Sequence, residues 1–355
     1  MSIARSTNGS APAGPALRPH LGRRLAYFSP ATVIVVFLLI APTFLAPDLV
    51  HLLTKIVIFA LFAMSLDLVF GYSGLWSFGH AGLFAAAAYS VAILVSKVGV
   101  TSFWVVAPIG VGVSVITAAL FGVFGLRSRE IYFMLITFAF GELISVAART
   151  SYKYTGGSNG IWDVPFPNLG FGPAFSKVSY YYFALIVVAI AAVLLYLITK
   201  SPFGHSLMGI RDNEVRAKTL GYNTWLRRFL AFVLSGFFAG VAGVLYVFLN
   251  RGISPDQAGI SNSGLVIMMV IIGGVGTLWG GAIGSAVIIF LNYIISLYTP
   301  SRWPLFLGAL FIAAVFFAKG GVYPRFVSLW KRVCGYDVRG GRSVERATTD
   351  SPPEA

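Results

Sequence analysis

Apolar stretches of roughly 17–25 residues, the length that crosses a hydrocarbon core of about 30 Å, dominate this chain, and short polar segments separate them. The pattern predicts spans at 30–47, 52–70, 78–96, 103–125, 130–148, 179–199, 228–249, 263–277, 281–298 and 304–319. About ten segments of this kind, transmembrane or re-entrant, describe an all-α polytopic membrane helix bundle with both termini on one side. That side collects most of the basic residues, among them Arg23, Arg24, Arg127, Arg129, Lys200, Arg227 and Lys319. The exceptions are Lys55, Lys97, Arg149, Lys153, Lys177, Arg251 and Arg302. The side richer in Lys and Arg is expected to be cytoplasmic, so both termini are expected in the cytosol. A cleaved signal peptide over the basic stretch 1–28 and the apolar 31–45 is the alternative to a retained first span.

Two glycine-rich segments interrupt the spans, "GYSGLWSFGHAG" at 71–82 and "GGVGTLWGGAIG" at 273–284. Both carry glycine at offsets 0, 3, 8 and 11: Gly71, Gly74, Gly79 and Gly82 against Gly273, Gly276, Gly281 and Gly284. Glycine lets helices approach closely or lets a chain turn inside the membrane. The match is either the trace of an internal repeat, a common feature of transporters, or a coincidence among 39 glycines.

One polar element stands out at 200–227. Its centre, "GIRDNEVRAKTLGYN" at 209–223, carries the charges of Arg211, Asp212, Glu214, Arg216 and Lys218 between two greasy spans. Ser201 can cap a first short helix with Pro202 in its first turn. Asp212 or Asn213 can cap a second, and Gly221 can end it in the left-handed conformation. Helices of about eight residues, 12 Å long, are unstable alone in water. They must lie either on their own membrane domain or in a groove of a soluble partner.

The opposite side has one long loop, 149–178, punctuated by Gly and Pro, which predicts turns. Its Trp162, Phe166 and Phe171 fit either an interfacial belt or a docking surface for a soluble partner. Gly156, Gly157, Asn159 and Trp162 are the candidates for receptor docking. The tails 1–29 and 321–355 combine Gly, Pro, Ser and charge, which predicts cytosolic segments that do not fold alone. The membrane-spanning body is expected over 30–320.

Composition agrees with the pattern. Hydrophobic residues are 57% and charged residues 11%, where soluble domains run near half and a quarter. The net charge of +14 flanks apolar spans, as membrane orientation requires, so nucleic acid is not expected as a partner. The single cysteine, Cys334, excludes an internal disulfide. The histidines His20, His51, His80 and His205 lack metal-ligand spacing, and no cofactor is expected.

Inside the spans, Asp67 and Glu142 are the candidate chemistry. A charge at mid-membrane costs about 2.5–3.5 kcal/mol on insertion scales, so each must face protein or water or be protonated. Glu142 lies about 18 Å along a helix from Glu130. Both residues fit either a translocation path, with Ser73, Ser77 and His80, or buried hydrogen bonds. A proton-coupled secondary transporter using Asp67, Glu142 and His80 as a relay is the alternative function. No paired carboxylates, metal spacing or nucleophile–base motif supports an enzyme.

The loop "SPFGHSLMGIRDNEVRAKTLGYN" resembles the ATPase-docking loop of ABC importer permeases in the form taken by the branched-chain amino acid permease family, LivM-type subunit. "GYSGLWSFGHAGLFAAAAY" (71–89), "YFMLITFAFGELI" (132–144), "TGGSNGI" (155–161), "GVAGVLYVFLNRGISPDQ" (240–257) and "IIGGVGTLWGGAIGSA" (271–286) resemble that family's segments in the same order. The general loop has Glu-Ala-Ala, three residues, then Gly. Here Val215, Arg216 and Ala217 precede Gly221 at that spacing, with Glu214 one place early and His205 where Arg is expected. The exact contacts therefore do not transfer.

The resemblance implies a non-enzymatic, multi-pass permease subunit in a bacterial cytoplasmic (inner) membrane. It would import branched-chain amino acids or a similar small amphipathic solute. Arg211, Asp212, Asn213, Glu214, Arg216, Ala217 and Gly221 would couple it to ATPases. Expected partners are a second homologous permease of LivH type, two ATPase subunits, a periplasmic or lipid-anchored solute-binding protein and membrane lipid. The chain has no Gly-x-x-x-x-Gly-Lys-Ser/Thr loop, so ATP hydrolysis would occur on another polypeptide.

Overall fold

The computed structural model describes residues 30–128, 130–166 and 177–298, together with 305–306, 308–309, 312 and 321–325. Residues 41–329 form one compact unit. The other comprises 1–40 and 330–355, of which only 30–40 are described, as helix. The expectations for the tails 1–29 and 326–355, and most of the span expected at 304–319, lie outside the described residues.

The described chain is helical almost throughout. α1 is Pro30–Phe44. α2 is Pro47–Asp67, continued by a π turn at Leu68–Tyr72. α3 is His80–Ile93, continued by a second π turn at Leu94–Val98. α4 is Phe103–Gly125 and α5 is Glu130–Thr150. The short α6 is Tyr152–Thr155 and α7 is Lys177–Lys200. α8 is Pro202–Asp212, α9 is Glu214–Thr219 and α10 is Thr224–Asn250. α11 is Ile260–Gly273 and α12 is Trp279–Tyr298. Among the described residues, seven helices, counting α2 and α3 with their π turns, are long and apolar enough to cross a membrane. α11, at 14 residues, is shorter.

The ends of the body sort themselves by contact. Lys177 at the start of α7 pairs with Asp48 at the start of α2 at 3.9 Å. Phe103 at the start of α4 meets Phe183 of α7 and Phe248 near the end of α10. At the same end, β1 (Ile161–Trp162) and β2 (Gly252–Ile253) pair antiparallel, Ile161 opposite Ile253 and Trp162 opposite Gly252. The opposite end carries α8 and α9 as a foot between α7 and α10.

α10 is the most buried of the long helices and packs on α2, α3 and α4. Its small residues make this possible: a Cβ at Gly236 or Gly240 would meet Ala118 and Ser114 of α4, and one at Gly243 would meet the Phe84 backbone of α3. Small residues four apart let helix backbones close up where the solvent gives no hydrophobic drive. The Ser114 hydroxyl donates to the Gly236 carbonyl at 2.7 Å across this seam. The core beside it is aromatic, with Phe62 stacked on Phe84 at 4.5 Å and Tyr246 edge-on to both Phe59 and Phe84. By contrast α4, α5, α7 and α12 turn about two-thirds of their length outward. Trp104, Ile116, Phe124, Ile131, Ile190 and Leu297 are exposed there, the surface expected against hydrocarbon.

Both glycine-rich interruptions are breaks in helix. The first runs from Ser73 to Gly79. The second is narrower than 273–284, because Thr277 Oγ1 accepts the Gly280 amide at 3.1 Å and restarts the helix at Trp279. α2 also begins earlier than the expected 52. Pro47 occupies its first turn, where a missing N–H costs nothing, so Asp48 and His51 lie inside the helix rather than before it.

Candidate functional site

The foot is built as its sequence predicts. The Ser201 side chain accepts from the Gly204 amide and Pro202 opens α8. The two short helices meet at Asn213, extended at φ −160°, whose Oδ1 accepts the Arg216 amide at 2.9 Å and so caps α9. Asp212 instead ends α8 and takes Arg211 at 3.2 Å. The Gly221 backbone has φ 86° and nothing lies near where a Cβ would stand, so backbone conformation alone selects glycine there. Ala217 is buried under α9, and Arg216 is exposed.

Glu214 ties the foot to α10. One carboxylate oxygen meets Lys218 at 2.7 Å and the Thr224 hydroxyl at 3.2 Å, and the other meets Arg228 at 2.7 Å. Partial burial pushes this carboxyl upward. The Lys218 hydrogen bond, the Arg228 charge and the Thr224 hydroxyl outweigh it and hold the group below the ordinary carboxylate range.

The foot is also wired inward. Arg211 Nη1 donates to the Gly71 carbonyl at 2.5 Å, and the stem of Arg211 lies against Gly74. Gly71 closes the π turn against the second glycine break, where a Cβ would run into both the Asp67 carboxylate and the Gly276 backbone. Asp67, fully buried, accepts the Gly276 amide at 2.8 Å and the Leu278 amide at 2.9 Å, one on each oxygen. The two glycine segments therefore meet in space. Their second members share one backbone conformation, Gly74 at φ 76° and Gly276 at φ 75°.

Most other candidates for a path are buried with partners of their own. Ser73 donates to the Val69 carbonyl at 2.7 Å. Ser77 is buried and its hydroxyl has no hydrogen-bond partner among the described residues. His80 opens α3 inside the bundle, with Nε2 at 2.9 Å from the Ser65 hydroxyl and its ring stacked on Phe62. Glu142 is half-buried, and its Oε1 accepts the Ile260 amide at 2.8 Å, where the positive end of the α11 dipole favours an anion. Asp67, His80 and Glu142 thus bond three separate sets of groups.

At the opposite end, Gly156 and Gly157 form consecutive left-handed turns at φ 75° and 64°. The Asn159 carbonyl accepts the Trp162 indole at 2.6 Å, and Trp162 remains 54% exposed beside the β1–β2 pair. Phe166 lies near Arg251 and Tyr180, and Phe171 lies outside the described residues. A sequence reading missed two groups here. One is the pair Arg149–Asp256, which links α5 to the turn before α11. The other is Lys55, a cation inside the expected span 52–70 to which the sequence gives no role. Among the described residues, no cluster of His, Cys, Asp or Glu could hold a metal ion.

A family model described as branched-chain amino acid transport system / permease component matches residues 49–315. The chain is 27% identical over 299 residues to the high-affinity branched-chain amino acid transport system permease protein LivM of Salmonella typhimurium, covering 78% of this chain and 70% of that one. It is 26% identical over 307 residues to the protein of that name in Escherichia coli, covering 80% and 72%. A shorter match, 26% over 125 residues, links 34% of this chain to 38% of the guanosine ABC transporter permease protein NupQ of Bacillus subtilis. No solved structure matches the chain.

Proposed function

The chain belongs to the branched-chain amino acid transport system permease family, and from that premise we propose that it is the transmembrane permease subunit of an ATP-binding cassette importer. Its cargo is branched-chain amino acids or similarly small amphipathic solutes, moved inward across a bacterial inner membrane. In this reading the foot and both termini face the cytosol, and the body makes ten crossings. α11 is one short crossing, and the first and last lie at 30–47 and 304–319. Residues 200–227 form the coupling loop, 149–178 faces the solute-binding protein, and a LivH-type permease completes the membrane pair.

One observation carries the reading. The foot exposes Val215 and Leu220 to 73% and 70%, apolar groups outside the membrane with nothing over them among the described residues. On the same element Arg211 reaches the Gly71 carbonyl. A face that docks a soluble ATPase and a side chain that reaches the broken helices are the two parts a coupling element needs. Arg211, Asp212 and Asn213 form its hinge, Glu214 anchors it to α10, and Arg216, Ala217 and Gly221 shape the docking helix. Asp67 then acts as the clasp between the two breaks, and Ser73, Ser77, His80 and Glu142 remain candidates for the solute path.

Reconstitution tests this. Vesicles containing the chain with its partner permease, ATPases and binding protein are expected to accumulate L-leucine only with internal, cytosolic-side ATP. The isolated chain is expected to accumulate none. Uphill uptake by the isolated chain under a proton gradient would overturn the assignment.

A further inference from the structure

Lys55 lies two turns into α2, about 12 Å from Pro47 at 1.5 Å per residue, and so within a membrane-crossing helix. Among the described residues no carboxylate pairs with it; the nearby Asp48 is taken by Lys177. Its ammonium lies 6.0 Å from the centre of the Phe59 ring. Charged side chains in a membrane segment face a bundle interior or a wet cavity and pair there, or mark a solute pathway. Lys55 does border a cavity, of about 150 Å³ and open on one side, between α2, α10, α11 and α12. Gln257, Asn262 and Asn292 contribute amides to its wall, and Phe59 and Ile288 contribute an apolar surface. The Asn262 amide nitrogen is already used on the Gln257 carbonyl at 2.9 Å, so what Asn262 has left to offer a solute is its oxygen, an acceptor. Gln257 and Asn262 lie in the turn and first residues leading into α11, on the half of the membrane away from the foot.

We infer that this cavity is a binding site for a small carboxylate-bearing solute, with the carboxylate on Lys55, the aliphatic body on Phe59 and Ile288, and any amino group on the amide oxygens. A cavity of this volume takes a six-membered hydrocarbon ring, the scale of a branched aliphatic side chain. The inference rests on the permease reading and adds to it a place on the outward half where solute pauses. An anionic lipid headgroup offers the same chemistry, and the test separates the two.

The protein for the test is the assembled transporter. With Asn292→Cys in the cavity wall, isovalerate is expected to slow labelling by a small thiol reagent. Isoamyl alcohol, which has the same body without the carboxylate, is expected not to, and Lys55→Met is expected to remove the isovalerate effect. Absence of protection by isovalerate would overturn the site whether or not leucine is the cargo. Conversely, protection by isovalerate without L-leucine uptake by the wild type would support the site and overturn the cargo reading.

In phosphatidylcholine vesicles, ATP-driven L-leucine uptake should fall about tenfold in Lys55→Met, the worth of one charge-assisted hydrogen bond. Lys55→Arg should retain most of the rate. Asn292→Asp, which sets a carboxylate in the anion's place, should fall comparably. Wild-type uptake in Lys55→Met, or a defect seen only when phosphatidylglycerol is present, would contradict the proposal; the latter would assign the anion to lipid.

Discussion

Asp67→Asn keeps the shape of the buried side chain and removes its charge. In the native protein each carboxylate oxygen takes one amide, from Gly276 at 2.8 Å and from Leu278 at 2.9 Å. An asparagine has one acceptor to offer, and its amide nitrogen would face the second N–H. The lost charge-assisted bond costs about 1.5–3 kcal/mol and the orphaned donor about 1–3 kcal/mol; since the two overlap, roughly 3 kcal/mol is the local cost. The loop it holds is not relaxed by itself. Leu278 has φ 54° and Gly274 φ 121°, and a non-glycine residue in the left-handed region costs about 1–2 kcal/mol. Weakened by about 3 kcal/mol, the loop should open about a hundredfold more often. Amide hydrogen exchange over residues 274–280 reads that directly in the assembled transporter. Exchange at Gly276 and Leu278 equal to the wild type would refute the clasp. A hundredfold rise confined to this loop, with α10 unaffected, is the expected result.

The other expectations concern the foot. Gly221→Pro forces φ to about −65° where the chain needs 86°, so it should abolish coupled uptake, while Gly221→Ala costs only backbone strain of about 1 kcal/mol and should leave most of the activity. Arg216→Glu, on an exposed position, should leave membrane insertion and thermal stability unchanged yet lower ATP-driven uptake; unchanged uptake would remove Arg216 from the docking face. Glu214 supplies a pH dependence. Its carboxyl is held below the ordinary range by Lys218, Arg228 and Thr224 against the upward push of partial burial. Its stabilisation is therefore complete above the ordinary glutamate pKa of about 4.3 and is lost as pH falls through the lower folded value. Trp225 fluorescence should report the foot loosening in that acid window in the wild type and no such step in Glu214→Gln.

What the sequence displays is local. Ser201 and Pro202 open α8, Asn213 caps α9 and Gly221 ends its turn, each within a few residues of the feature it sets. The two glycine breaks are readable for the same reason. The contacts that join these parts are not local. Asp67 and Gly276 are 209 residues apart, and Arg211 and Gly71 are 140 apart, so no periodicity or cap marks them. Asp67 in isolation fits both a path residue and a buried structural one, and the two amides it accepts lie 209 and 211 residues away. Lys55 is hidden differently. It falls inside the expected span 52–70, and only the packing of α10, α11 and α12 around it sets it on a cavity.

The most direct test of the account is the uptake obtained per ATP hydrolysed when Arg211, the link between foot and glycine breaks, becomes methionine. One charge-assisted hydrogen bond at a partly exposed site is worth about 1–2 kcal/mol. In the assembled transporter, Arg211→Met should keep its ATPases bound and hydrolysing while L-leucine moved per ATP falls about tenfold. Unchanged uptake per ATP in that variant would mean that the push from the foot reaches the membrane by another route.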